Sequence, residues 1–337
     1  MIDKINYSTL PFARAAVNAA NMMKLFDIYT LVKSFSHSHI VIIYYHKFKS
    51  KKPWFLPGIS PKVFEKEMKY LKKMFSILSL EELVNCINEK KKLPKRLAII
   101  TFDDGYKDNY QYAFPILKKY QIPATLFITT GNINDRTLFW WDQLNYIIHH
   151  SKISKLNLNE YGKRDFCSLL SKRETYNYLG QSFNNLNTVD REQIISKLKQ
   201  LTKVQIPPNI AEEFILSWDE IKEMSEYGIN IGSHTVTHPI LSKIPLENAK
   251  YEIQRSKKDI EHHINKKITS FCYPNGKQSD FNKDIIKIVK DSGYKCAVTT
   301  IASSNFTKKQ LYQLGRFSTG WNYSSFKFSI SKIHFNI

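Results

Sequence analysis

Thr101-Phe102-Asp103-Asp104-Gly105 decides how this chain is read. Leu97, Ala98, Ile99 and Ile100 lead into it from Pro94. That short run, partly β-branched and uniformly apolar, has the character of a buried strand. The two carboxylates then fall at the strand's C-terminal end, where Gly105 turns the chain. Adjacent acids at the mouth of a core strand are costly unless something uses their charge. A metal ion using one and a water molecule using the other would account for both.

Working outward, residues 40–45 form an apolar, aromatic strand that stops at His46. Ser60-Pro61 opens a helix with Phe64, Met68, Leu71 and Met74 at helical spacing, and Ser79 caps a second one with Glu81 and Glu82 in its first turn. After the acid pair, residues 108–120 read as a helix with Tyr112, Ile116 and Leu117 inward, and 124–129 as a strand. Residues 131–215 break this rhythm. They open on Phe139-Trp140-Trp141-Asp142 and continue in polar helical segments, so they read as a largely helical insertion. The rhythm then returns: a helix from Ser217 to Gly228, a strand over 229–233 ending at His234, a long helix over 246–265, and a strand over 268–273 ending at Pro274-Asn275-Gly276. A helix over 281–291 and strands over 295–300 and 311–317 complete it. About seven strands alternating with helices predict an α/β fold, a distorted (β/α)7 barrel. Each polar cluster sits at a strand's C-terminal end, where such folds gather catalytic groups. The expected organisation is an amphipathic helical segment over 1–39, one domain over 40–320 carrying the insertion, and a tail over 321–337.

The second anchor is His234-Thr235-Val236-Thr237-His238. Histidines four apart on a helical turn share one face, a spacing that suits two imidazoles on one metal. One carboxylate and two histidines make a three-ligand site with an open position, the pattern of a catalytic zinc.

Taken together, Thr101–Gly105, His234-Thr-x-x-His238 and Phe271-Cys272-Tyr273-Pro274-Asn275-Gly276 resemble the leading motifs of the polysaccharide deacetylases of NodB homology, which are carbohydrate esterase family 4-like. The likeness is to the branch found with exopolysaccharide and surface-glycan biosynthesis. It implies metal-dependent hydrolysis of an N-acetyl amide on an amino sugar of a polysaccharide or lipid-linked glycan, with release of acetate. It implies Asp103 as the base, and Asp104, His234 and His238 as ligands of Zn2+ or of another divalent ion such as Co2+ or Ni2+. It also assigns the Asn275 N–H to the oxyanion, within a motif that includes Tyr273 and Pro274. Tyr44-Tyr45-His46 resembles the motif that carries the general acid in the poly-N-acetylglucosamine deacetylases, which points to His46. Many members orient the base with an arginine of the third motif. Here Cys272 stands at that place, and Arg316 is the candidate to supply a guanidinium from the last strand. The same atoms would serve another C–N amide, in a deformylase-like reaction, and a catalytically silent glycan-binding module is the reading from a different class. Trp140, Trp141 and Trp321 could stack on sugar rings or fill the core.

Lys+Arg 50 against Asp+Glu 30 gives +20. The lysines are scattered, and no zinc-finger or arginine-rich arm appears, so nucleic acid is not the expected partner. A solvated, lysine-rich surface or weak steering of anions is the expected reading of the charge, and phosphorylated glycans or an anionic membrane face are the anionic partners it would favour. Four cysteines with no C-x-x-C spacing read as free thiols. No stretch is apolar enough to span a bilayer, and residues 1–39 lack the pattern of a signal peptide. A cytoplasmic protein with peripheral contact at the inner membrane face is therefore expected, the amphipathic run over 12–35 being either the contact or a packed helix.

Overall fold

A computed structural model describes residues 11–36, 38–48, 58–158, 161–184, 186, 188–303, 307–320 and 322–331. Two short helices, α1 (Pro11–Met22) and α2 (Leu25–Ser36), precede β1 (His39–Tyr45), α3 (Pro61–Met74), β2 (Ser76–Ile77), α4 (Leu80–Asn88) and β3 (Arg96–Phe102). Ser79 makes the reciprocal capping box with Glu82 that starts α4. The helix expected over 108–120 is instead a π-helical turn over Asn109–Ala113 that passes into α5 (Phe114–Tyr120). The widened turn buries Asn109, whose side-chain amide donates to the carbonyls of His46 and Tyr106 at 3.1 and 2.9 Å.

Next come β4 (Thr125–Ile128), α6 (Thr130–Asn134), α7 (Trp140–His150), the small hairpin β5 (Lys155–Asn157) and β6 (Lys163–Asp165), α8 (Leu169–Phe183), α9 (Thr188–Thr202) and α10 (Ala211–Phe214). The α/β alternation resumes with α11 (Trp218–Tyr227), β7 (Asn230–Ser233), α12 (Leu246–Ile264), β8 (Ser270–Cys272), α13 (Lys283–Asp291), β9 (Cys296–Val298), β10 (Phe317–Ser318) and α14 (Tyr323–Ser331). The tail expected from residue 321 on thus contains a helix. Phe326 and Ile330 of α14 are buried, and Lys327 pairs with Asp27 of α2 at 2.6 Å. Trp321 lies outside the described residues.

The main sheet is parallel throughout, in the order β10-β1-β3-β4-β7-β8-β9, with β2 added on β3. A bridge between Val298 and Leu314 spans the gap toward β10, so the sheet curls into a distorted barrel. Strands buried on both faces explain the continuous apolar runs in the sequence. The period of two sorts them: Leu97 and Ile99 join Ile42, Phe127, Cys272 and Val298 in one cluster, whereas Ala98, Ile100 and Phe102 join Phe64 and Met68 of α3 in another. Thr101 and Asp103 continue the first set. Asp103 is thereby directed to the inside of the curl, where a buried carboxylate needs a partner of its own.

The insertion packs a separate cluster built on Leu144, Ile148, Leu179, Phe183, Ile195 and Leu198. No helix among the described residues is long and apolar enough to cross a membrane.

Candidate active site

Asp103 is almost fully buried, and its partner is Arg316. Arg316 Nη1 donates to Asp103 Oδ1 and Nη2 to Oδ2, both at 2.7 Å. Nε donates to the Thr299 carbonyl at 2.9 Å, Nη1 also reaches Thr101 Oγ1 at 3.1 Å, and Nη2 reaches Cys272 Sγ at 3.1 Å. Burial alone would push the Asp103 carboxyl up, but the Arg316 charge and hydrogen bonds outweigh it and hold the group below the usual carboxylate range. Arg316 therefore keeps Asp103 ionised and fixes its plane. Cys272 sets its small thiol beside Arg316 Nη2, which leaves the guanidinium room to reach Asp103.

Asp104 continues the backbone at φ 77°, followed by Gly105 at φ 88°, so the chain turns sharply and the two neighbouring carboxylates diverge. Asp104 Oδ1 lies 3.5 Å from His234 Nε2 and 3.6 Å from His238 Nε2, and it is buried with no hydrogen-bond partner. These three side chains can offer one ligand atom each within 4.8 Å of one another. The Cys272 carbonyl takes a hydrogen bond from His234 Nδ1 at 2.8 Å, which fixes the tautomer and leaves the Nε2 lone pair toward Asp104. Burial lowers the pKa of His238 to about 3, so its imidazole is a neutral donor at ordinary pH. An orphaned buried carboxylate oxygen facing two imidazole nitrogens fits a divalent cation. A second cluster, Asp103 with His234 and Cys272, is also tight, but Arg316 already occupies its carboxylate and thiol.

The histidine pair does not ride on a helical turn, as the spacing suggested. It sits on a loop after β7, with Thr235 at φ 70° and His238 at φ 59°. A β-branched residue in the left-handed region is strained and needs support. Glu252 of α12 supplies it: Oε2 accepts from the N–H groups of Val236 and Thr237 at 2.7 and 2.9 Å, and Oε1 from the Thr237 hydroxyl at 2.7 Å. The far side of the loop is held by the Gly131 N–H, which donates to the Val236 carbonyl at 2.8 Å. A Cβ at residue 131 would lie 2.7 Å from that oxygen, so only glycine permits the approach. Neither Glu252 nor Gly131 carries a motif that would have marked it in the sequence.

His46 follows β1 as Asp103 follows β3. The register Tyr45↔Phe102 sets them side by side, with His46 Nε2 3.8 Å from Asp103 Oδ2. His46 is half-exposed and faces the same cavity, of about 510 Å³, that is lined by Asp103, Asp104, His234, His238, Tyr273 and Asn275. Asn275 has φ 57°, and its N–H has no partner among the described residues. Tyr273 is buried, stacks on Phe281 with ring centroids 4.3 Å apart and donates to the Tyr312 carbonyl at 3.1 Å. Pro274 is buried behind the rim. Arg316 stays beneath the cavity floor.

The structure also brings in residues that sequence reasoning missed. Lys47 pairs with buried Asp142 of α7 and lies 4.0 Å from the centre of the Tyr106 ring. The Tyr106 hydroxyl donates to Asp142 Oδ2 at 2.9 Å and accepts from Trp141 Nε1 at 2.7 Å. Trp141 in turn packs edge-on to His238 at 5.0 Å. The insertion therefore forms one wall of the site, and Trp140 and Trp141 both line the cavity.

Comparison with known proteins identifies the family. A family model described as polysaccharide deacetylase matches residues 90–297. YxkH of Bacillus subtilis (strain 168), a candidate polysaccharide deacetylase, is 24% identical over 291 residues, covering 86% of this chain and 75% of the relative. The poly-beta-1,6-N-acetyl-D-glucosamine N-deacetylase of Staphylococcus aureus (strain MSSA476) is 33% identical over 147 residues, 43% of this chain and 47% of that protein, so the match spans about half of that relative. The solved structure of the Streptococcus pyogenes deacetylase PplD in complex with acetate superposes with a TM-score of 0.57 at 19% identity, covering 86% of this chain and 97% of that one, which is a likeness of fold. With the matched model spanning more than half of its length, this chain belongs to the polysaccharide deacetylase family.

Proposed function

We propose that this protein removes the acetyl group from an N-acetylated amino sugar in a polysaccharide or lipid-linked glycan, releasing acetate. One observation carries the reading: an orphaned Asp104 oxygen converging with two histidine nitrogens, beside a second carboxylate that an arginine holds ionised. An amide resists hydrolysis because its carbonyl is weakly electrophilic and its amine leaves poorly. When bound to Asp104, His234 and His238, a divalent cation polarises the acyl carbonyl and acidifies water, and zinc suits this nitrogen and oxygen set, as cobalt or nickel also would. Asp103, kept out of that ligand set by Arg316, takes the proton from the attacking water. The free N–H of Asn275 donates to the oxygen that gains charge at the tetrahedral stage. His46, on the open side of Asp103, delivers a proton to the departing amine.

We further propose that the protein works peripherally at the inner, cytoplasmic face of a membrane. Met22, Met23, Ile28 and Val32 of the α1–α2 region are strongly exposed, and the chain carries +20. Co-sedimentation with anionic vesicles, weakened by salt, is the expected behaviour.

The central reading is tested by acetate release from N-acetylglucosamine oligomers by the purified protein, with metal content measured alongside. Release that stops on chelation and returns with Zn2+ supports it. A metal-loaded protein that frees no acetate from any glycan overturns it.

A further inference from the structure

We infer that the cavity-facing side of α8 is a subsite for the sugar residue next to the one being deacetylated, so that the insertion selects polymers over single sugars. This rests on the deacetylase reading for its substrate class. Three independent features point to it.

The first is placement. Tyr176, Asn177, Gly180, Gln181 and Asn184 stand at positions i, i+1, i+4, i+5 and i+8, which is one face of a helix. All five line the same cavity as Asp104, His234 and His238. The adjoining stripe, Thr175, Leu179 and Phe183, is buried. At about 510 Å³ the cavity falls in the range of about 300–1,000 Å³ typical of ligand clefts.

The second is hydrogen-bonding capacity. Asn177, Gln181 and Asn184 have no side-chain partner among the described residues. Each amide offers a donor pair and an acceptor, the complement of sugar hydroxyls, which both donate and accept. The ring surfaces of Trp140 and Tyr176 border them, and Arg191 braces the Trp140 ring with its guanidinium 4.7 Å from the ring centre. Amides beside aromatic rings suit a sugar ring and its hydroxyls, and the cations Lys47 and Arg191 line the same cavity.

The third is Gly180. It lies in the interior of α8, where glycine weakens a helix relative to alanine. No steric contact demands it, because an added Cβ would meet nothing within 4 Å. The absent side chain leaves the cavity wall open at the centre of the row of amides. A merely solvated helix face accounts for the amides, but it gives no reason for this gap.

The test uses N-acetylglucosamine oligomers of one to five units, in both β-1,4 and β-1,6 linkage, with the whole protein, the Gly180→Leu variant and the Asn177→Ala/Gln181→Ala double variant. For the unaltered protein, kcat/KM should climb by about tenfold or more from the monosaccharide to the tetramer. In both variants the ratio of tetramer to monosaccharide should fall toward one while metal content stays the same. A length-independent kcat/KM in the unaltered protein, or a rise that survives in both variants, overturns the subsite. Should Gly180→Leu not fold, the double variant decides. Acetate release from none of the oligomers counts against the deacetylase reading instead. Quenching of tryptophan fluorescence by the tetramer then decides the subsite: quenching that is lost in the variants upholds it, and no quenching overturns it.

Discussion

Arg316 grips Asp103 through two parallel hydrogen bonds of 2.7 Å between residues 213 positions apart, both almost wholly buried. Removing the guanidinium would strand a buried carboxylate. Arg316→Ala should therefore lose about 3–5 kcal/mol of stability. With burial no longer opposed, the Asp103 pKa should rise, so the acidic limb of the pH–rate profile should move to higher pH. The linkage agrees in sign. Because Asp103 is depressed in the folded state, its contribution is present above the unfolded pKa of about 3.9 and fades as pH falls through the folded value. Arg316→Lys keeps the charge but loses the fork, and should fall between the two. An Arg316→Ala protein with normal kcat and an unmoved acidic limb would remove Arg316 as the residue that positions the base.

The two adjacent aspartates should separate by role. Asp104→Ala should lose metal and activity together. Asp103→Asn should retain metal and lose about 100-fold or more in kcat. Metal content by elemental analysis beside acetate release distinguishes the two. An active Asp103→Asn protein would mean that the proton goes elsewhere.

His46 is tested through the leaving group. His46→Ala should slow amide hydrolysis by about 100-fold or more. It should matter far less for an aryl acetate, whose phenolate departs without a proton. Equal losses on the two substrates would assign His46 to binding or positioning.

Glu252 touches no ligand atom, yet three of its hydrogen bonds hold the strained loop between the two histidines. Glu252→Ala should weaken metal affinity by about 10- to 100-fold, as loss of supporting contacts does at other metal sites. A competitive chelator titration reads this directly. Added metal in excess should restore turnover, and failure to restore it would point to a collapsed loop.

Asp108 gives a pH signature. Burial, only partly offset by the Phe48 N–H, pushes its pKa up to about 7. A carboxyl raised in the folded state favours folding most below its unfolded pKa, and that advantage drains away as pH rises toward 7. The melting temperature should therefore decline between pH 5 and pH 8 by more in the unaltered protein than in Asp108→Asn, whose amide carries no such charge. Parallel melting curves for the two proteins across that range would contradict the shift.

Local chemistry made much of the framework legible. Apolar runs ending in Asp103-Asp104, His234 and Tyr273-Pro274-Asn275-Gly276 announced parallel strands with a polar rim, because a strand buried on both faces has no other pattern. The capping boxes at Ser79 and Ser217 and the stop at Gly228 were equally local. Two local readings went astray for local reasons. Four-residue spacing suggested a helical turn for His234 and His238, but spacing does not report a loop with positive φ that a glutamate from another helix supports. The single helix over 108–120 missed the π-turn, in which Asn109 reaches back to the His46 carbonyl, a contact between residues 63 positions apart.

The residue types of the proposed site, and their positions at strand ends, were written in the chain, since side-chain identity and strand periodicity need no partner. Which groups meet was settled only by folding. Arg316 reaches Asp103 because the sheet curls until its last strand lies beside its first, and Cys272 leaves space between. Glu252, Gly131, Asp142 and the α8 face enter the site through packing between segments far apart in sequence. Such contacts depend on distances across the barrel rather than on any neighbouring residue, so no stretch of the sequence could display them.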